Sequence, residues 1–108
     1  MRTRAAGWAA LLFATLLIVA CAQGYDEADL RAQMKAEHAR VFSPMGWTLR
    51  DFTRLRVEPI GDETLVVHAE YLFEGRNTGT DRRIFVFERR GSDWALTSMG
   101  EHESARFD

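Results

Sequence analysis

Apolar and polar residues follow three different periods along this chain. From Ala5 to Ala22 no residue is charged, and Leu11–Leu12–Phe13 and Leu16–Leu17–Ile18–Val19 form a strongly apolar centre behind Arg2 and Arg4. A basic start followed by a short apolar run is the pattern of a secretory signal peptide. Past Tyr25 the period becomes helical. Leu30, Met34, His38, Val41 and Phe42 share one face, while Glu27, Arg31, Lys35 and Arg40 share the other. Asp26 is placed to cap the helix, with Glu27 and Asp29 in the first turn near its positive end. Ser43–Pro44 stops it, because the residue before proline avoids helical angles.

After Gly46 the period is two. Leu55 and Val57 alternate with Arg54, Arg56 and Glu58, which predicts a strand with one wet face. Trp47 and Leu49 are in phase with that strand and Phe52 is not, so a bulge or interruption is expected near Asp51. Leu65, Val67, Ala69, Tyr71 and Phe73 form the clearest apolar face in the chain. Gly75 to Asp81 reads as a hairpin loop, residues 82–90 as a third strand, Gly91–Ser92–Asp93 as a turn and Trp94 to Met99 as a fourth strand. The expected fold class is α+β, one amphipathic N-terminal helix on a four-stranded antiparallel meander. The expected domain runs from 26 to 99, and the polar stretch 100–108 is expected to fray.

The apolar leader ends in Ile18–Val19–Ala20–Cys21, which holds the only cysteine of the chain. These residues resemble the lipobox of bacterial lipoproteins. The resemblance implies a diacylglyceryl group on the Cys21 sulfur, removal of residues 1–20 by cleavage between Ala20 and Cys21, and a lipidated tether over 21–25. In that family Asp after the cysteine favours inner-membrane retention, so Ala22 implies the outer membrane, facing the periplasm. Two other readings stay open: ordinary cleavage after Ala22 in a small-x-small site, and an uncleaved anchor in the uncharged stretch from Ala5 to Gly24. The helix-then-strands order is similar to the helix-on-curved-sheet layout of cystatin-like and NTF2-like folds, and Phe87–Trp94 is similar to the last hairpin of NTF2-like domains. The second and third helices of the NTF2-like pocket are absent from this sequence, and no functional residue is carried over.

Composition narrows the function. Without residues 1–20 the chain keeps all sixteen acidic residues and loses Arg2 and Arg4, leaving a net charge of about −4. That argues against nucleic acid, which selects a basic footprint. A lone cysteine excludes an internal disulfide. No phosphate loop, nucleophile elbow or metal-ligand spacing is present, so no catalytic residue, cofactor or metal is expected. His38 reads as a half-buried helix residue, His68 as part of a solvated sheet face and His102 as part of the polar tail.

The third strand is the oddity. Ile84 and Val86 point one way and Phe85 and Phe87 the other, so neither face is polar. A single helix covers one face, and the other needs a second cover or a strongly curved sheet. Three function classes follow. The first is a non-enzymatic, membrane-tethered module that binds a protein partner, or itself, through an exposed patch drawn from Leu72, Phe85, Phe87 and Met99. The second is a carrier of a small apolar ligand, with a pocket between helix and sheet lined by Trp47, Tyr71 and Trp94. The third, an enzyme, lacks converging titratable groups in the sequence.

The lipid reading makes a direct prediction. The mature protein begins at Cys21 and carries added acyl mass, whereas Cys21→Ser is neither lipidated nor cut. Intact mass and membrane fractionation in a bacterial host check this. Identical processing of the two forms would show that Cys21 is incidental.

Overall fold

The computed structural model describes residues 24–108. Ala20, Cys21 and the apolar leader lie outside the described residues. Helix α1 (Glu27–Phe42) starts where the sequence predicts: the Asp26 side chain accepts the Ala28 N–H at 3.0 Å. Such a cap satisfies one of the free amides of the first turn. The helix ends in a single 3-10 turn, Ser43–Met45, and Gly46 leaves it with φ +80°, a left-handed conformation that glycine adopts without strain.

Four antiparallel strands follow in the order β1-β2-β3-β4: β1 (Thr48–Ile60), β2 (Thr64–Glu74), β3 (Thr78–Arg90) and β4 (Asp93–Met99). The chain is therefore a helix on an antiparallel meander, as the periodicities predict. The irregularity expected near Asp51 is present, with register shifts between Leu49 and Asp51 and between Phe52 and Arg54. These bulges bring Phe52 back into phase with Leu49 and Leu55 on the core face. The loop expected over Gly75–Asp81 is much shorter. β3 pairs with β2 from Thr78 onward, and only Gly75–Asn77 turn, closed by the Gly75 N–H on the Asn77 carbonyl at 3.0 Å. Asp81 is consequently a strand residue.

The core lies between α1 and one sheet face. Leu30 and Met34 from the helix meet Phe52, Leu65, Val67, Tyr71, Phe85 and Phe87 from the sheet. Each buried side chain of this size contributes roughly 1.5–3 kcal/mol. Gln33 ties the layers together: its amide donates to the Trp94 carbonyl at 2.7 Å and accepts the Leu96 N–H at 2.9 Å. This corrects the expected exposed patch. Phe85 and Phe87 are wholly buried under the helix, because their position in β3 is in phase with Val67 and Leu65 of β2. Met99 sits opposite Phe85 and packs against the same core, so of the four residues only Leu72 is exposed.

The second cover is the end of the chain itself. The stretch expected to fray lies instead against the sheet. Where β4 stops, the Gly100 N–H bonds the Ile84 carbonyl, and the Ser104 hydroxyl then accepts the Ile84 N–H at 3.0 Å. Gly100 has no room for a side chain, since a Cβ there would stand 2.5 Å from Ile84. The tail then crosses to the far face, where Ala105 is 2 % exposed and the Arg106 N–H donates to His68 Nδ1 at 3.0 Å. Phe107 lies under Arg54 and Arg82, at 4.5 Å and 5.8 Å. His68, expected in water, is thereby buried, with its Nε2 3.1 Å from Glu58.

Removing the Ser104 hydroxyl leaves a half-buried amide without a partner, which costs about 1 kcal/mol. Ser104→Ala is expected to lower unfolding stability by that amount and to speed hydrogen exchange at Ile84 and Arg106. Urea titration and amide exchange check this, and unchanged exchange at both amides would place the tail off the sheet.

Candidate functional site

The helix ends before it has covered the β2–β3 end of the sheet. An apolar pocket of about 280 Å³ opens there. Phe42 and Met45 supply one wall, from the end of α1 and the 3-10 turn. Trp47 and Phe73 supply another and stack at 4.5 Å between ring centroids. Phe73 lies flat across the sheet because its partner in β3 is Gly79: a Cβ at Gly79 would meet the Phe73 ring at 2.7 Å. His38, Asp81, Arg83 and His102 complete the lining.

Polar residues at the inward positions of a strand need internal partners, and Asp81 has four. Its carboxylate accepts the Tyr71 hydroxyl at 2.8 Å, the Arg82 N–H at 2.8 Å and Arg83 Nε at 2.6 Å, and lies 2.5 Å from His102 Nδ1. Burial by itself raises the Asp81 pKa, but the hydrogen bonds from Arg83, Tyr71 and the Arg82 amide, with the Arg83 charge, outweigh it and hold the carboxyl below its ordinary range. Burial raises the Tyr71 hydroxyl far above its ordinary value, and its bond to the Asp81 carboxylate adds to this, so it stays a donor. Arg83 reaches further: Nη1 donates to the Gly100 carbonyl at 3.0 Å and the guanidinium lies 4.9 Å from the Phe42 ring centroid.

His38 is the unusual member. It is 3 % exposed, sits 4.6 Å from Phe42 and edge-on to Tyr71 at 5.1 Å, and its Nδ1 is buried with no hydrogen-bond partner. Burial, followed by the nearby Arg83 charge, lowers its pKa, against a smaller pull from Asp81. The ring is neutral at pH 7.

One group among the described residues has the residue types of a metal site. Asp81, His102 and Glu103 bring one ligand atom each within 4.8 Å of one another. The Arg83 guanidinium already balances the Asp81 charge, so the arrangement acts as a hydrogen-bonded latch that holds the tail beside the pocket. Glu103 takes φ +65° at this latch.

The structure separates the residues expected to line one pocket. Trp47 lines it. Tyr71 is wholly buried beneath it and acts through Asp81. Trp94 is at the other end of the sheet, near Gln33 and the start of α1, under the Arg89 guanidinium at 5.2 Å. The loop signal over Gly75–Asp81 hides the Asp81–Arg83 pair. Carrying the alternation of Phe87 and Phe85 two steps back places Arg83 and Asp81 on the same face, and that signal is present in the sequence. Searches of family models, curated proteins and solved structures found no match to this chain.

The histidine sets a pH dependence. Between its lowered folded-state value and the ordinary 6.5, the unfolded chain binds a proton that the folded chain refuses. Stability therefore rises with pH across that window and is complete above it. Asp81 acts in the same direction at lower pH: its stabilisation is present above the ordinary 3.8 and is lost as pH falls through the folded-state value. Urea unfolding at pH 5.0 and 7.5 is expected to show lower stability at pH 5.0, and His38→Phe is expected to reduce that difference. An unreduced difference in His38→Phe would assign the dependence to another group.

Proposed function

We propose that this chain is a lipid-anchored, non-enzymatic protein of the bacterial cell envelope that binds a small, largely apolar molecule. The observation that carries the ligand reading is the pocket at the end of α1. At about 280 Å³ it falls just under the roughly 300 Å³ at which small-molecule sites begin, which fits a small occupant, and its aromatic and aliphatic walls meet a few converging polar groups. Membrane attachment rests on Ile18–Val19–Ala20–Cys21, and placement in the outer membrane rests on Ala22. The titratable groups at the pocket do not favour an enzyme. Asp81 is fully engaged by four donors, and the neutral His38 has no hydroxyl, thiol or carboxylate bonded to it. The alternative, docking of a protein partner through the sheet face, retains only Leu72 of its four proposed contacts.

The test uses p-xylene as an uncharged apolar probe, followed by NMR on the lipid-free domain. Saturating probe is expected to shift the Trp47 indole N–H, the Met45 methyl and the ring protons of Phe42. Trp47→Ala removes one wall and is expected to weaken binding about tenfold, the loss that corresponds to roughly 60 Å² of apolar contact. Shifts that avoid these residues, or an unchanged affinity in Trp47→Ala, would end the pocket reading.

A further inference from the structure

The pocket's polar lining says what its occupant carries. Burying a polar atom without a partner costs free energy, and the few such atoms in a folded protein call for a reason. His38 Nδ1 is one of them, and it belongs to a ring on the pocket wall. The fold gives it no internal partner: the ring packs against Phe42 in a tilted contact and meets Tyr71 edge-on, and neither aromatic ring offers Nδ1 a hydrogen bond. The Tyr71 hydroxyl, the neutral side-chain donor of the network, is committed to Asp81 at 2.8 Å. A half-turn of the imidazole about χ2 exchanges Nδ1 with Cδ2 and Nε2 with Cε1, so which ring atom meets the pocket can change without backbone movement.

The charges at the pocket cancel. Arg83 is matched by Asp81 at 2.6 Å, so neither a cationic nor an anionic ligand finds a free buried counter-charge. Burying an unmatched charge there is far more costly than burying a hydroxyl.

We infer that the occupant is an uncharged molecule with an apolar body and one hydroxyl or N–H group, and that this group hydrogen-bonds the ring nitrogen of His38. The inference rests on the ligand-binding reading and adds the chemical class. His38 is the specificity residue: it distinguishes a ligand with a hydroxyl from the same shape without one. Trp47, Phe73 and Met45 hold the body.

The experiment compares p-cresol with p-xylene, which differ by a hydroxyl in place of a methyl, and with p-toluate as the anionic counterpart. Affinities are measured by NMR titration at pH 7.5 on the lipid-free domain and on His38→Phe. Because water also competes for the hydroxyl, the readout is the ratio of p-cresol to p-xylene affinity. That ratio is expected to fall about fivefold in His38→Phe, the size of one net hydrogen bond, and p-cresol is expected to bind the parent more tightly than p-toluate. In the parent, the ring nitrogen signals of His38 are expected to move with p-cresol and not with p-xylene, a reading that needs no variant. His38→Phe removes an unpartnered polar atom and is expected to melt no lower than the parent. An unchanged ratio with silent ring nitrogens, or tightest binding by p-toluate, overturns the inference and leaves the pocket reading standing. Failure of all three probes to bind overturns both.

Discussion

The buried carboxylate of Asp81 is the constraint on which the pocket end of the molecule depends. A carboxylate taken out of water is tolerated only when hydrogen bonds and an opposite charge replace its solvent. The four donors come from different parts of the chain. Tyr71 belongs to β2, Arg82 and Arg83 to β3, and His102 to the tail. Satisfying one residue thus fixes the relation of two strands and the chain end. Arg83 extends the reach of the network, since the same guanidinium that balances Asp81 holds the Gly100 carbonyl and packs on Phe42 at the end of α1. The polar side of the pocket is therefore framed by groups that a single carboxylate holds in place.

A domain of this size has little surface to spare for burial, and a four-stranded sheet has two faces to cover. One helix of sixteen residues covers one face and part of its length. The chain meets the remaining need with its last nine residues, which carry no regular secondary structure. Beyond the backbone bond of Gly100 to Ile84, side chains stand in for carbonyls on both sides of the contact: Ser104 accepts the Ile84 N–H, and His68 of β2 accepts the Arg106 N–H. The apolar side of Ile84 and Val86, which suggested an external partner, is half-buried. The same economy leaves the pocket, where the helix stops before the sheet does.

What was legible in the sequence and what was not separate along a physical line. The helix, its Asp26 cap, the meander order and the bulge beside Asp51 are written in local periodicity and in capping and turn chemistry, and each was read from a few neighbouring residues. The burial of Phe85 and Phe87 depends on which of two apolar faces the helix selects. That choice is set by the register against Val67 and Leu65, a non-local fact. The tail Gly100–Asp108 has no period at all, and its composition is that of a frayed end. Its contacts with Ile84, His68 and Asp81 join residues 16 to 38 positions apart, and nothing local announces them. Asp81 reads as a loop residue for a related reason. Glycine, asparagine and aspartate together signal a turn, and here the ladder between β2 and β3 continues through all but three of those residues.

The direction of the fold also bears on how a tethered pocket would work. On the lipid-anchored reading, four residues lie between Cys21 and the helix cap at Asp26, and the five steps from one to the other span at most about 18 Å. The start of α1 is then held close to the bilayer. The pocket is at the other end of the helix, beside Phe42 and Met45. Sixteen helical residues at about 1.5 Å each separate the two by about 24 Å. A pocket facing the lipid would favour an occupant drawn from the membrane. At that distance from the tether, a molecule reaching this pocket from water has something to gain from an apolar wall, and its hydroxyl has water to compete with. Such a ligand must be soluble enough to arrive and apolar enough to stay, and one hydrogen bond beside an aromatic wall meets both requirements.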